Sequence, residues 1–208
     1  MVRYKHQMKS LGKILYKYRS YTPIPFLLVM IIFAIPNNTS IIIGLTIAVL
    51  GESIRLWGVS YFGSVSRATS QFVEASLITQ GPFSYLRNPL YLGNIIIYFG
   101  LGIMSLALFP YLQIFALIYF TFQYYCIIFN EEEYLYSKFQ DTFTVYKSTV
   151  KRFLPKKNEL PEEIKSKLSF NIKSGFKSEK RSLQAIVITI LIILILHLSD
   201  LKLWKLFV

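Results

Sequence analysis

The sequence predicts an all-α, polytopic integral membrane protein with about five transmembrane helices. Hydrophobic residues make up 53% of the 208 residues and charged residues 16%, and the mean hydropathy is +0.44. That composition leaves too little polar surface for a water-soluble protein. The apolar residues are gathered into runs close to the length that crosses a bilayer as a helix, and basic residues flank these runs.

Five apolar runs are the candidate spans. The first is short, and it crosses the bilayer only if Tyr18 and Tyr21 extend it into the interface. The third and fourth are separated by Pro110 alone, which predicts a tight helical hairpin. In order, the runs cover residues 24–36, 40–62, 90–109, 111–130 and 183–198.

Positive charge predicts the orientation. Of the 23 Lys and Arg residues, six lie in 1–20 and twelve in 131–182. Basic flanks of spans stay in the cytoplasm, so both segments are expected there, with the N-terminus, the loop 63–89 and its Arg67. The C-terminus is expected outside, and the plasma (inner) membrane is the expected location. Charge confined to these flanks makes a nucleic-acid partner the weaker interpretation.

The same pattern predicts the organisation along the chain. A basic tail precedes a membrane core of four spans and a cytoplasmic helix, and a Lys-rich linker that we expect to lie on anionic lipid leads to a C-terminal helix with an interfacial anchor. These parts correspond to residues 1–22, 23–155, 156–182 and 183–208.

The first candidate site segment precedes the third span. Gly81 and Pro82 predict a turn, and Asn88 and Pro89 predict a helix start with Asn88 as N-cap and Pro89 at the first helical position. Open backbone N–H groups beside Arg87 can hold a carboxylate or phosphate. The alternative is that these residues only end a loop and cap a transmembrane helix.

The second candidate segment follows the fourth span. It begins with three carboxylates, Glu131 to Glu133, which can hold a cation or sugar hydroxyls; the alternative is a solvated acidic turn. Side chains at spacings of four, four and three then predict an aromatic stripe on one face of a continuing helix. The stripe consists of Leu135, Phe139, Phe143 and Tyr146, and Arg152-Phe153-Leu154-Pro155 closes the segment.

Together the two segments resemble a known family. The resemblance lies in the order of four features over about residues 50–155: G-P-F-x-x-x-R-N-P-x-Y-x-G, an apolar helical hairpin, E-E-x-x-L-x-x-x-F and R-F-x-P. Over these residues the chain is similar to the integral-membrane methyltransferases of the isoprenylcysteine carboxyl methyltransferase and phospholipid methyltransferase group. The resemblance implies that these parts enclose S-adenosylmethionine at the cytoplasmic face. It also implies transfer of the methyl group to a lipid-embedded acceptor.

Roles follow from the resemblance. The helix start at Asn88 and Pro89 suits the cofactor carboxylate, and Glu131 or Glu132 suits its ammonium or ribose hydroxyls. The other implied cofactor contacts are Gly81, Tyr91 and Gly93. The implied catalytic set is Arg87, Asn88, Glu132 and Arg152.

The chain departs from the family pattern at three places. Asn88 stands where the pattern has histidine, which removes any titration near neutral pH. Gln140 stands where the pattern has a glycine, and Phe143 where it has a tyrosine. Loss of the histidine tilts the prediction toward a carboxylate acceptor held by Arg87 or Arg152, because an amine acceptor needs a base.

Other functions stay open. A phospholipid amine N-methyltransferase is the alternative, followed by a sterol-type membrane reductase and a non-catalytic membrane adaptor. No metal cluster is expected, because the chain has two histidines and one cysteine, Cys126. Glu52 and Arg55 lie three residues apart inside the second span, and mutual pairing is the favoured interpretation.

Overall fold

The described residues form six α-helices. In this computed structural model they are residues 2–62, 77–157, 159–166, 168–199 and 201–206, and no strand occurs among them, which confirms the all-α prediction. Arg67 lies outside these ranges. The helices are α1 (Val2–Tyr18), α2 (Pro23–Ile32), α3 (Asn38–Phe62), α4 (Pro89–Ser105), α5 (Tyr111–Thr149) and α6 (Ile172–Leu198), with short 3-10 helices at Gly81–Ser84, Glu162–Ile164 and Leu203–Leu206.

Within the described ranges, three helices are long and apolar enough to cross a membrane: α3, α5 and α6. Two shorter apolar helices, α2 and α4, accompany them. At 1.5 Å per residue, the 10 residues of α2 extend about 15 Å, roughly half of a hydrocarbon core, and the 17 residues of α4 about 25 Å. A polytopic membrane protein is thereby confirmed. Tyr18 and Tyr21 do not lengthen α2, because α1 ends at Tyr18 and α2 begins at Pro23.

Helix bounds differ from the sequence prediction at the end of α4 and the start of α6, whereas α5 continues past its apolar run as the aromatic stripe predicts. Helix α4 ends at Ser105, so the hairpin turn consists of residues 106–110 and not of Pro110 alone. Helix α5 continues past the apolar run to Thr149, with a break at Gln140. Helix α6 begins at Ile172, within the segment 156–182 that the sequence predicts to be a linker.

The chain folds into two compact units, and the first contains most of the apolar residues. It comprises residues 1–51, 94–129 and 182–208. Gly44 of α3 and Gly100 of α4 lie at a close backbone approach, because a Cβ on either would fall within 3.0 Å of backbone atoms of the other helix. Gln113 Nε2 closes the hairpin turn by donating to Gly102 O at 2.8 Å and Ala107 O at 3.2 Å.

The second unit holds both candidate site segments. It comprises residues 52–93 and 130–181. Its core contains the aromatic stripe, since Phe143 and Tyr146 are buried and Leu135 and Phe139 pack against the same cluster. Thr79 joins the segment 164–166 to this core, because its Oγ1 donates to Ile164 O at 2.9 Å and accepts from Ser166 N at 2.8 Å. Part of the predicted linker is therefore packed structure.

Candidate functional site

One carboxylate, Glu132, joins the two candidate segments. Arg87 Nη2 donates to Glu132 Oε1 at 2.8 Å, and Arg152 binds both oxygens, Nε to Oε1 at 2.8 Å and Nη2 to Oε2 at 2.7 Å. Lys147 Nζ lies 3.4 Å from Glu132 Oε2. The Glu132, Arg87 and Arg152 side chains meet because Glu132 lies on α5 just past the apolar run, while the arginines precede α4 and follow α5. We call these four residues the Glu132 cluster.

The Glu132 cluster carries an excess of positive charge. Three cations surround one carboxylate, and the side chains of Arg87 and Glu132 are only 8% and 7% exposed. Burial by itself raises the pKa of Glu132. Hydrogen bonds from Arg152 and Arg87, together with the charges of both, lower the pKa by more than burial raises it, so that its value is about 2. Glu132 therefore stays ionised at any physiological pH, and the cluster keeps a surplus of cations that an anionic ligand can neutralise.

Backbone hydrogen bonds hold the Arg152 segment against the start of α4. Arg87 N donates to Lys151 O at 2.8 Å and Asn88 N to Arg152 O at 3.3 Å. The side chain of Asn88 adds a long contact from Nδ2 to Arg152 O at 3.5 Å. The Arg87 guanidinium also donates through Nη1 to Lys147 O and Val150 O. Arg87 is thus largely committed to holding the end of α5, while its buried Nε has no hydrogen-bond partner within the described part of the chain.

A second carboxylate, Glu131, contacts α4. Tyr91 donates from its hydroxyl to Glu131 Oε1 at 2.6 Å. Tyr91 lies in the first turn of α4, which begins at Pro89 as the sequence predicts, and Gly93 is buried on the same helix. Glu131 and Glu132 are adjacent in sequence but differ in charge environment: Glu131 faces a phenol, and Glu132 faces three cations.

The buried phenol of Tyr146 fixes the turn that precedes Arg87. Its hydroxyl donates to Phe83 O at 2.7 Å. Burial raises the pKa of Tyr146, and the opposing effect of Arg87 is smaller. This phenol stays protonated and acts as a hydrogen-bond donor. It links the end of the aromatic stripe to the 3-10 helix Gly81–Ser84.

Gly81 has a structural reason to be glycine. Its φ is +60°, and a Cβ there would collide with the ring of Tyr61. Gly81 also lines a polar cleft of about 560 Å³. The buried Oε1 of Gln80 in this cleft has no hydrogen-bond partner among the residues that the structure describes. The other lining residues are Thr79, Ser84, Glu159, Leu160, Glu162 and Lys165.

The structure therefore brings most of the predicted site residues into two contacts. Arg87, Glu132 and Arg152 form one with the backbone of Asn88, and Tyr91 and Glu131 form the other. Sequence reasoning missed Lys147, since an exposed lysine in a basic segment is indistinguishable from topology-setting charge. It also missed Gln80, although its position directly before Gly81 is a signal that could have been followed.

Arg55 pairs with a residue other than Glu52, the partner that the sequence favours. Arg55 Nη2 pairs with Glu179 of α6, whereas its Nε lies 4.0 Å from Glu52 Oε2. Both oxygens of Glu52 are buried without a hydrogen-bond partner within the described ranges. The sequence could not indicate this arrangement, because Glu179 is 124 residues away along the chain.

The fold and the Glu132 cluster define a polytopic helical membrane protein with a charged site built from two sequence motifs. The chain belongs to the phospholipid methyltransferase family, whose model matches residues 39–142, half of the chain. The matched region contains Arg87, Tyr91, Glu131 and Glu132, whereas Lys147, Arg152 and α6 follow it. The expected family resemblance is confirmed.

A curated relative is the cobalt-zinc-cadmium resistance protein CzcN of Cupriavidus metallidurans. It is 33% identical to this chain over 116 residues, which is 54% of this chain and 49% of the relative. The chain thus spans about half the length of that relative. No solved structure gives a significant match.

Proposed function

We propose that this protein transfers a methyl group from S-adenosylmethionine to a lipophilic carboxylate at the cytoplasmic face of the membrane. The observation that carries the proposal is the Glu132 cluster, in which both motif segments meet in a methyltransferase-family chain. When bound, the cofactor would supply an electrophilic methyl group: the O–CH3 bond to the acceptor forms as the S–CH3 bond breaks, and the sulfonium sulfur becomes a neutral thioether. The protein then needs to position both partners and exclude water.

Several groups suit the cofactor. The surplus cations of the Glu132 cluster and the unpartnered Nε of Arg87 suit its carboxylate. Glu131 suits its ammonium or ribose hydroxyls. The unpartnered Oε1 of Gln80 needs an N–H or O–H donor, which an adenosine supplies, and a cleft of about 560 Å³ has room for one.

The charges favour a carboxylate acceptor over an amine. An ammonium must lose a proton before methylation, and Glu132, with a pKa of about 2, is too weak a base to accept it. Tyr146, with its raised pKa, stays protonated. Asn88 cannot titrate. A carboxylate acceptor is already ionised and needs only a cation, for which Lys147 and Arg152 are placed.

Phospholipid amine methylation is the second candidate, and the description of the matching family supports it. In that case the base would be a group outside the Glu132 cluster or a water molecule.

Detergent-purified protein supplied with methyl-labelled S-adenosylmethionine tests both candidates. One reaction contains a small prenylated thiol-acid, and the other contains phosphatidylethanolamine vesicles. We expect label in the organic phase only with the prenylated acid, and we expect mild base to release it, because an ester hydrolyses and an N-methyl amine does not. Base-stable label in the lipid would show that the acceptor is the phospholipid amine and not a carboxylate.

The matched variants are Glu132→Gln and Glu133→Gln, which remove neighbouring carboxylates, one buried and one exposed. Calorimetric binding of S-adenosylmethionine should weaken at least ten-fold in Glu132→Gln and remain unchanged in Glu133→Gln. Unlabelled acceptors together with no cofactor binding by the parent chain would exclude the methyltransferase, and the reductase or adaptor interpretation would take its place.

A further inference from the structure

The residues of α6 that precede Leu183 lie outside the lipid core and continue the same helix that spans it. The apolar run begins at Leu183, but the helix begins at Ile172 and is continuous between them. A rise of 1.5 Å per residue places Arg181 about 3 Å, Lys177 about 9 Å and Lys173 about 15 Å from the start of the run. The headgroup region on each side of the hydrocarbon core is about 5–8 Å thick. The first turns of α6 therefore lie at headgroup depth and just beyond it.

One face of these turns is held by the protein. Gly175 packs so closely on Ser60 that a Cβ would collide with the Ser60 hydroxyl, and Asn171 N donates to Ser60 O at 2.7 Å. Glu179 pairs with Arg55, and Ser178 is buried beside it. Since α3 fixes this face, the direction of the opposite face is also fixed.

The opposite face is basic and exposed. At about 100° per residue, Lys173, Lys177 and Lys180 lie within a narrow stripe that Arg181 borders. All four are exposed, and none forms an ion pair among the residues that the structure describes. Exposed apolar side chains accompany them: Phe176 is 50% and Ile172 39% exposed. We call Lys173, Lys177, Lys180 and Arg181 the basic stripe.

We propose that the basic stripe binds the phosphate of an anionic phospholipid on the side of the membrane where α6 begins. Unpaired cations at and just beyond headgroup depth attract anionic lipid. Phe176 adds an exposed aromatic side chain beside the stripe, and aromatic side chains are enriched at membrane interfaces. The binding orders one lipid class beside the second unit, which contains the Glu132 cluster, and goes beyond methyl transfer itself.

The test uses the full chain reconstituted in phosphatidylcholine vesicles with spin-labelled phosphatidylglycerol or spin-labelled phosphatidylcholine. We expect the protein to immobilise phosphatidylglycerol with roughly five-fold or greater preference, in line with the attraction that each cation supplies. Lys177→Gln/Lys180→Gln/Arg181→Gln should reduce the preference to near one. Lys177→Arg/Lys180→Arg, which keeps the charge, should retain it.

The control variant removes the same number of positive charges from residues outside α6. Lys138→Gln/Lys151→Gln/Lys157→Gln changes three exposed lysines outside α6 and should keep the preference. Millimolar inorganic phosphate should not displace the labelled lipid, whereas displacement would indicate a site for free phosphate. An unchanged preference in the triple α6 variant, or an equal loss in the control, would overturn the proposal.

Discussion

At the scale of single residues, Glu132 determines the character of the site. It balances the charge of the buried Arg87 side chain and the partly exposed Arg152 side chain, and it holds the segments before α4 and after α5 together. The sequence predicts that Arg87, Glu132 and Arg152 belong to one site. It could not predict that they bind one another, because their separations of 20 and 45 residues carry no distance information.

Glu132 makes stability depend on pH in the acid range. Its pKa is about 2 in the folded protein against an ordinary 4.5, so its stabilisation is present above about pH 4.5 and is lost as the pH falls toward 2. We expect Glu132→Gln to lower the free energy of unfolding by roughly 3 kcal/mol at pH 7, because the buried Arg87 and the partly exposed Arg152 lose their counter-charge. The midpoint of thermal unfolding in detergent, followed from pH 7 to pH 3, measures this.

The parent chain should lose more stability over that range than Glu132→Gln, which has nothing left to protonate at this position. Glu133→Gln should follow the parent curve. Parallel curves for the parent chain and Glu132→Gln would show that the carboxylate is not held at a low pKa.

Gln140 carries backbone strain. Its φ of 39° and ψ of −112° interrupt α5 in a region that favours glycine, and glycine is what the family pattern has there. We expect Gln140→Gly to raise the free energy of unfolding by about 1 kcal/mol. Lys138→Gly, at an ordinary helical position two residues earlier, should lower it by about the same amount. Denaturation in mixed micelles gives both values, and equal destabilisation by the two variants would argue against strain at Gln140.

At the scale of elements, the sequence predicts helices more reliably than their ends. The aromatic stripe indicated that α5 continues past the membrane, and it does, because Phe143 and Tyr146 bury their rings in the core of the second unit. The start of α6 was missed. Its first turns are rich in lysine and serine and contain Gly175, a composition typical of a linker, and they are helical where one face packs on α3.

The close approach of α3 and α4 is sensitive to a single methyl group. Gly44→Ala should lower the free energy of unfolding by about 1–3 kcal/mol, because the new Cβ meets the backbone of Met104 and Gly100, which cannot move aside. Gly102→Ala is the matched control: its Cβ would lie 3.3 Å from the Gln113 side chain and would meet no backbone atom at the 2.4–2.6 Å found for Gly44, so a smaller loss is expected. Thermal unfolding in one detergent compares them. Equal effects would mean that α3 and α4 are not packed at this distance.

At the scale of the whole molecule, orientation in the membrane is the largest remaining prediction. His197, near the end of α6, contacts the connection before α3, with Nδ1 3.2 Å from Pro36 O and Nε2 2.9 Å from Asn38 Oδ1. These two ends therefore lie on one side of the membrane. The basic segment 131–182 is expected on the other side, in the cytoplasm.

Cysteine labelling in intact cells tests this orientation. In a Cys126→Ser background, an impermeant maleimide should label Thr39→Cys in intact cells and Lys157→Cys only after permeabilisation, since both positions are exposed and flank different ends of the spans. The permeabilised sample controls for reactivity. The reverse pattern would place the Glu132 cluster outside the cytoplasm.

Composition and local motifs establish a helical membrane protein of a methyltransferase family, and they predict which two segments carry its site. These properties follow from composition, run length and local motifs, which are readable along one chain. Only the tertiary structure decided which charges meet: Glu132 with Arg87, Lys147 and Arg152, and Arg55 with Glu179. The physical reason is that ion pairing depends on distance in space, and helix packing sets that distance between residues far apart in sequence.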